Sequence, residues 1–114
     1  EKMEAIRWSE FLKPNGRVIV NNYEIPSLPI AIGNAEYPQG ILEELQKNFK
    51  TIVIDAGKVA LDLGNVKTQN VVLFGSLVKA FNLMEIDWIE ILKDIIPQRM
   101  LDINIKAFNK GMEM

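Results

Sequence analysis

The sequence predicts an α/β fold built on a parallel sheet, and three observations carry that prediction. Two β-branched runs, Arg17-Val18-Ile19-Val20-Asn21-Asn22 and Thr51-Ile52-Val53-Ile54-Asp55, have the length and composition of buried strands. Segments with apolar residues at three- and four-residue spacing stand before, between and after them, the order expected of βαβ architecture with a right-handed crossover. A chain of 114 residues with 48% hydrophobic and 25% charged side chains has the composition of one ordinary globular domain.

Each element has its own local signal. Met3, Ile6, Arg7, Trp8, Phe11 and Leu12 fit an amphipathic helix that presses its aromatic side on a neighbour. Lys13-Pro14-Asn15-Gly16 ends it, because proline presets one dihedral and glycine accepts positive φ without a steric penalty. After the first strand, residues 23–40 carry Pro26, Pro29, Gly33, Pro38 and Gly40, too many breakers for regular structure and long for a connector. Ile41, Leu42, Leu45 and Phe49 then mark a helix with Glu43, Glu44 and Lys47 on its polar side. Following the second strand, residues 55–63 read as a short helix stopped at Gly64-Asn65.

Residues 71–81 read as a helix apolar nearly all round, which belongs in a core, with Asn70 placed to cap it. Residues 85–96 carry Trp88, Leu92, Ile95 and Ile96 on one stripe. Pro97 suits the first turn of a last helix running to about Lys110, and Gly111 is its expected C-cap. Two strands are few for a parallel sheet, since such sheets are nearly always buried and edge strands are covered. The chain is therefore expected to be incomplete, its sheet continued by preceding sequence or by a second copy.

Composition excludes several chemistries. With no cysteine and no histidine, disulfides, thiolate nucleophiles, iron–sulfur ligation, the usual zinc sites and histidine relays are absent from this polypeptide. Thirteen basic against fifteen acidic residues, a formal charge of −2, give no cationic footprint for nucleic acid. No apolar run approaches the ~20 residues of a spanning helix, so no membrane partner is expected. Glu1-Lys2-Met3-Glu4 is not a signal-peptide start, and a cytoplasmic protein is the expectation.

In an open α/β sheet, ligands sit beyond the carboxyl ends of the strands, which here deliver Asn21, Asn22 and Tyr23, and then Asp55. The same residues have a structural reading, in which the asparagines satisfy loop amides and Asp55 caps the next helix. Tyr37, in the long loop, is either a lid residue or a packed aromatic. Gly33-Asn34-Ala35 lacks the spacing of a P-loop, and Gly57, Gly64 and Gly75 do not form a dinucleotide fingerprint. The carboxylates Glu43, Glu44, Asp62, Glu85, Asp87, Glu90 and Asp94 read as solvated helix faces.

Asn104 lies among Met100, Ala107 and Phe108, where its amide is expected to tie the last helix to a neighbouring loop. Gly75 and Ser76 cost helix propensity, so their small size is expected to admit a closely packed neighbour. Trp8, Phe11, Trp88 and Phe108 read as core or interface anchors rather than a platform for bases.

Taken in order, Phe11-Leu12-Lys13-Pro14-Asn15-Gly16-Arg17-Val18-Ile19-Val20-Asn21, Ile25-Pro26, Ala35-Glu36-Tyr37-Pro38, Val53-Ile54-Asp55-Ala56, Leu63-Gly64-Asn65 and Asn70-Val71-Val72-Leu73-Phe74-Gly75 resemble the gamma-type subunit of 2-oxoacid:ferredoxin oxidoreductases. The closing Pro97, Asn104, Ala107, Phe108 and Gly111 continue the resemblance across essentially the whole chain. Ile25-Pro26 and Ala35-Glu36-Tyr37-Pro38 are most similar to the indolepyruvate branch of the family. Members of the family usually begin with a strand and a G-x-G-G-Q-G turn, and this sequence has neither.

The resemblance implies a Rossmann-like, three-layer parallel sheet, with residues 1–114 as the C-terminal part of a single gamma-type domain. It also implies a complex that oxidatively decarboxylates a 2-oxoacid to an acyl-CoA and passes electrons to ferredoxin. Thiamine diphosphate and iron–sulfur clusters would sit on partner subunits, and this chain would be noncatalytic alone. Asn22, Tyr23, Tyr37 and Asp55 are then the candidates for shaping the approach of substrate or coenzyme A. Two other readings stay open: a stand-alone module binding a small ligand at the strand ends, and a structural homodimer completing one sheet across a twofold axis.

Overall fold

The structure, a computed structural model, describes residues 1–114 and has an α/β arrangement of seven α-helices and a two-stranded parallel sheet. The chain divides into two compact units, Glu1–Val53 and Ile54–Met114.

The first unit opens with α1 (Lys2–Arg7), followed by a 3₁₀ turn at Ser9–Phe11. Met3, Ala5 and Ile6 of α1 pack on the buried cluster of Val20, Ile41 and Leu45. The aromatic residues do not: Trp8 is 61% and Phe11 70% exposed, ring against ring at 5.4 Å. The helix ends at Arg7, and the tighter 3₁₀ turn swings both rings away from the side that Met3 and Ile6 bury. In the turn that follows, the positive φ falls on Asn15 (57°), not on Gly16. Asparagine tolerates that region because its short polar side chain can bond locally. Gly16 serves a different need, since a Cβ there would press to 2.8 Å on the Lys13 carbonyl oxygen.

Strand β1 (Arg17–Asn21) becomes progressively buried toward its carboxyl end, and β2 (Lys50–Ile54) pairs with it. The Lys50 amide donates to the Gly16 carbonyl at 3.0 Å as the pairing begins. The connection holds one element that its prolines argued against: α2 (Leu28–Ala31), a single turn with proline in its first positions. Pro29 fits there because the first turn's amides have no helical acceptor to lose. Helix α3 (Ile41–Asn48) lays Ile41 and Leu45 into the core of this unit and starts at Gly40, whose φ of 75° favours glycine.

The second unit is helical. It contains α4 (Ala56–Asp62), a 3₁₀ turn at Val66–Thr68, α5 (Gln69–Ala80), α6 (Trp88–Ile95) and α7 (Gln98–Glu113). The expected cap at Asn70 is not one, because α5 begins a residue earlier and Asn70 lies inside its first turn. Asn65 does the capping instead, its side chain accepting from the Lys67 amide at 3.0 Å at the start of the 3₁₀ turn that leads into α5. Asp87 caps α6 by accepting from the Glu90 amide at 3.1 Å. Pro97 stands at the N-cap of α7 rather than within its first turn.

Two buried clusters organise this unit, one around Ala56, Val72 and Ala107 and one around Val78, Leu92 and Phe108. Helices α5 and α7 pack with almost no separation where Gly75 meets Gly111. A Cβ on Gly75 would collide with the Phe108 carbonyl oxygen, and one on Gly111 with that of Val72. The small residues in α5 are thus there for packing, as expected. Gly111, in contrast, is not a C-cap: α7 continues through it to Glu113, and its missing side chain is what lets the helices touch. Ile95, expected on the buried stripe of α6, is 72% exposed, whereas Leu92 is buried.

Candidate functional site

The carboxyl end of β1 delivers the predicted residues into the long loop. Asn21 is buried and Asn22 exposed, and both side chains or backbones are engaged by neighbours. The Tyr23 amide donates to the Asn21 carbonyl at 2.7 Å, a tight turn at the strand end that leaves the Tyr23 ring half exposed. The loop then presents Ile25, Leu28 and Ile32 as exposed apolar side chains. No lysine or arginine occurs between residues 22 and 40, and Glu24 and Glu36 are acidic.

Glu1 holds the two ends of this loop together, a role that sequence reasoning missed. One carboxylate oxygen caps α1 by accepting from the Glu4 amide at 2.6 Å. The other accepts from the Tyr37 hydroxyl at 2.8 Å and from the Ile25 amide at 3.4 Å. The Met3 amide in turn donates to the Tyr37 hydroxyl at 3.2 Å, and the Lys2 amide donates to the Tyr23 carbonyl at 3.1 Å. Lys2 Nζ also pairs with Glu24.

These contacts set the electrostatics. Burial, the hydrogen bond to Glu1 and the negative charge of Glu1 together push the Tyr37 phenol up to about 12. Burial pushes the Glu1 carboxyl up, but the Tyr37 hydroxyl and the amides of Glu4, Met3 and Ile25 outweigh it and hold the group below its ordinary value. Both shifts have one meaning: neutral tyrosine beside ionised glutamate is the form the fold prefers. Tyr37 also packs on the Val20–Ile41–Leu45 cluster, so it is anchored at both ends of its ring.

In the second unit, Asp55 precedes α4 and is exposed, with no capping hydrogen bond from its side chain, although it is partnered elsewhere. Asn104 makes its bond within its own helix, Nδ2 donating to the Met100 carbonyl at 2.8 Å, rather than to a neighbouring loop. Each amide is therefore satisfied locally, and no buried side-chain nitrogen or oxygen lacks a partner.

The donor set suits hydrogen bonding and packing rather than bond making. No group of three or more carboxylate, histidine or cysteine side chains stands close enough to hold a metal. Without thiolates the chain has no ligands for an iron–sulfur cluster, and without a carboxylate cluster it has none for the divalent cation of a bound diphosphate. No helix is long and apolar enough to cross a membrane.

Comparison with known proteins gives these features a setting. The family model described as pyruvate ferredoxin/flavodoxin oxidoreductase matches residues 1–114. Indolepyruvate oxidoreductase subunit IorB of Pyrococcus horikoshii is 36% identical over 99% of the chain, and its namesake in Thermococcus kodakarensis is 35% identical over the same share. The Archaeoglobus fulgidus protein of that name is 31% identical over 97% of the chain. The chain spans 59% of the length of the first two relatives and 58% of the third. No solved structure matches it.

Proposed function

The chain belongs to the pyruvate ferredoxin/flavodoxin oxidoreductase family, and from that premise we propose that it is part of a noncatalytic subunit of an indolepyruvate ferredoxin oxidoreductase. In this reading the whole complex oxidatively decarboxylates a 2-oxoacid to an acyl-CoA, with thiamine diphosphate and iron–sulfur clusters on a partner subunit and ferredoxin as the acceptor. The observation that carries it is 36% identity to an indolepyruvate oxidoreductase subunit over 99% of the chain. A chain without cysteine or a carboxylate cluster fits a subunit that leaves the cofactors to its partner. Residues 1–114 then belong to one gamma-type domain.

Within that reading, Asn22, Tyr23 and Tyr37 line the approach of substrate or coenzyme A, and Asp55 is a fourth candidate at the end of the second strand. The loop chemistry favours the substrate over the cofactor. Coenzyme A carries phosphates, and a stretch with no cation and two carboxylates would repel them, whereas exposed Tyr23, Ile25 and Leu28 suit an aromatic 2-oxoacid side chain. Loop residues are where such contacts are usually found.

The test is a tagged pull-down of the complete gene product from source cells under anaerobic conditions, with iron and thiamine diphosphate assayed in the eluate. Co-elution with a large partner carrying both, and reduction of ferredoxin by the eluate on addition of indolepyruvate and coenzyme A, is the expected result. A cofactor-free monomer or homodimer would overturn the proposal.

A further inference from the structure

The second unit carries a groove that the oxidoreductase reading does not use. It has a volume of about 450 Å³ and lies between the approach to α6 and the carboxyl-terminal part of α7, lined by Met84, Ile86, Trp88, Phe108 and Met112. Its floor is rigid. The Trp88 indole donates to the Leu83 carbonyl at 2.7 Å, and its ring meets Phe74 edge-on at 5.1 Å, while Phe74 also packs on Phe108 at 5.5 Å. Its walls are adaptable: Met84 is more than half exposed, and methionine side chains can repack around different shapes.

The remaining lining is Glu85, Asp87, Ile89 and Asn109, so the groove has two carboxylates and no cation. The nearest lysines on its two helices are already paired, Lys93 with Glu90 and Lys110 with Glu113. That charge disfavours any anionic occupant, which covers 2-oxoacids and coenzyme A alike. A strand is equally unsuited, because the helix backbones that border the groove are bonded internally and offer no open edge to pair with. An apolar ridge flanked by positive charge satisfies every surface present.

We propose that this groove docks an amphipathic helix of another polypeptide, one whose apolar ridge seats on Trp88 and Phe108 and whose lysines or arginines face Glu85 and Asp87. The inference needs a partner chain but not its identity, so it stands apart from the assignment to an oxidoreductase complex.

The experiment replaces Met84 with the photo-cross-linking residue p-benzoylphenylalanine in the complete protein, irradiates the source cells and sequences the captured segment. The expected product is a single segment of a different polypeptide with apolar residues three and four apart and at least two basic residues among them. Glu85→Lys, at an exposed position that should leave folding intact, lowers the yield at least about fivefold by reversing one of the two charges. Asp87 is left alone because it caps α6. The proposal is overturned by the absence of a cross-link or by a cross-link to a second copy of this chain. Capture of a segment without basic residues, an unchanged yield with Glu85→Lys, or competition by added indole-3-acetate also overturns it. If the captured polypeptide carries neither thiamine diphosphate nor a cluster, docking stands while the oxidoreductase assignment does not gain from it.

Discussion

The Ser76 hydroxyl donates to the carbonyl oxygen of Gly111 at 2.9 Å, across the point where α5 and α7 lie closest. One residue earlier, Gly75 faces the Phe108 carbonyl with no room for a side chain. A hydroxyl that reaches across while a neighbouring Cβ is absent makes this crossing both specific and intolerant of added volume. The carbonyl of Gly111 has a second donor, the Met114 amide at 3.2 Å.

Two substitutions at this crossing should therefore differ in cost. Gly75→Ala gains ~1 kcal/mol of helix propensity. It must also move backbone atoms, which cannot swing aside as a side chain can, and overpacking of that kind costs about 1–3 kcal/mol or more. The net expectation is destabilisation. Ser76→Ala removes one hydrogen bond worth about 1 kcal/mol but leaves the Gly111 carbonyl still bonded. Urea denaturation of the purified protein should place Gly75→Ala well below Ser76→Ala, and a Gly75→Ala variant as stable as the parent would show that the helices separate freely.

Helix caps give a second contrast. Asp87→Ala and Asn65→Ala each remove a side-chain acceptor from a first-turn amide and should each cost ~1 kcal/mol. Asn70→Ala, at an exposed position within α5, should change stability by less than about 0.5 kcal/mol. Thermal denaturation of the three variants side by side tests the assignment, and a cost at Asn70 equal to that at Asn65 would contradict it.

Tyr37 and Glu1 predict a pH dependence of defined sign. The folded chain holds the Tyr37 proton to about 12, against 10.0 ordinarily, so between those values the unfolded chain binds fewer protons and stability falls as pH rises. Below pH 10 the contribution is fully present. Glu1 behaves oppositely: its lowered carboxyl contributes above its ordinary 4.5, and the contribution is lost as pH falls through the depressed value. Tyr37→Phe should lower the urea midpoint at pH 8, and the gap to the parent should narrow both toward pH 12 and below pH 4. A gap that is constant across this range would remove the ion-assisted bond from the account.

The sequence discloses much of this fold because its signals are local. The β-branched runs at residues 18–20 and 51–54 pair as strands, and Gly75 beside Ser76 in an apolar helix betrays a close neighbour. What escaped depends on distant partners. Gly111 looks like a helix end in a one-dimensional reading, since only the facing Val72 carbonyl shows why it lacks a side chain. Trp8 and Phe11 share the spacing of the buried Met3 and Ile6, but the helix tightens after Arg7 and takes them off that face. The strand-end rule finds Asn22 and Tyr23 readily. It cannot find Glu1, whose bond to Tyr37 joins residues 36 positions apart.

That bond bears on the loop's proposed part in the complex. If residues 22–38 line the substrate's approach, substitutions there should act on apparent affinity, because the loop positions substrate and supplies no group that makes or breaks a bond. Tyr23→Ala removes an exposed ring and should raise the KM for the 2-oxoacid severalfold with kcat little changed, and Asn22→Ala should act in the same direction. Tyr37→Phe should reproduce part of that rise indirectly, by releasing Glu1 from the loop, and its effect should grow at alkaline pH less than that of the parent, which loses the same bond as the phenol ionises. Affinity for coenzyme A should be nearly unchanged in all three, given the loop's two carboxylates and lack of cations. Steady-state kinetics of the intact complex decides it: unaltered KM for both the 2-oxoacid and coenzyme A would leave the loop a purely structural element, and a change confined to coenzyme A would assign it to the other reactant.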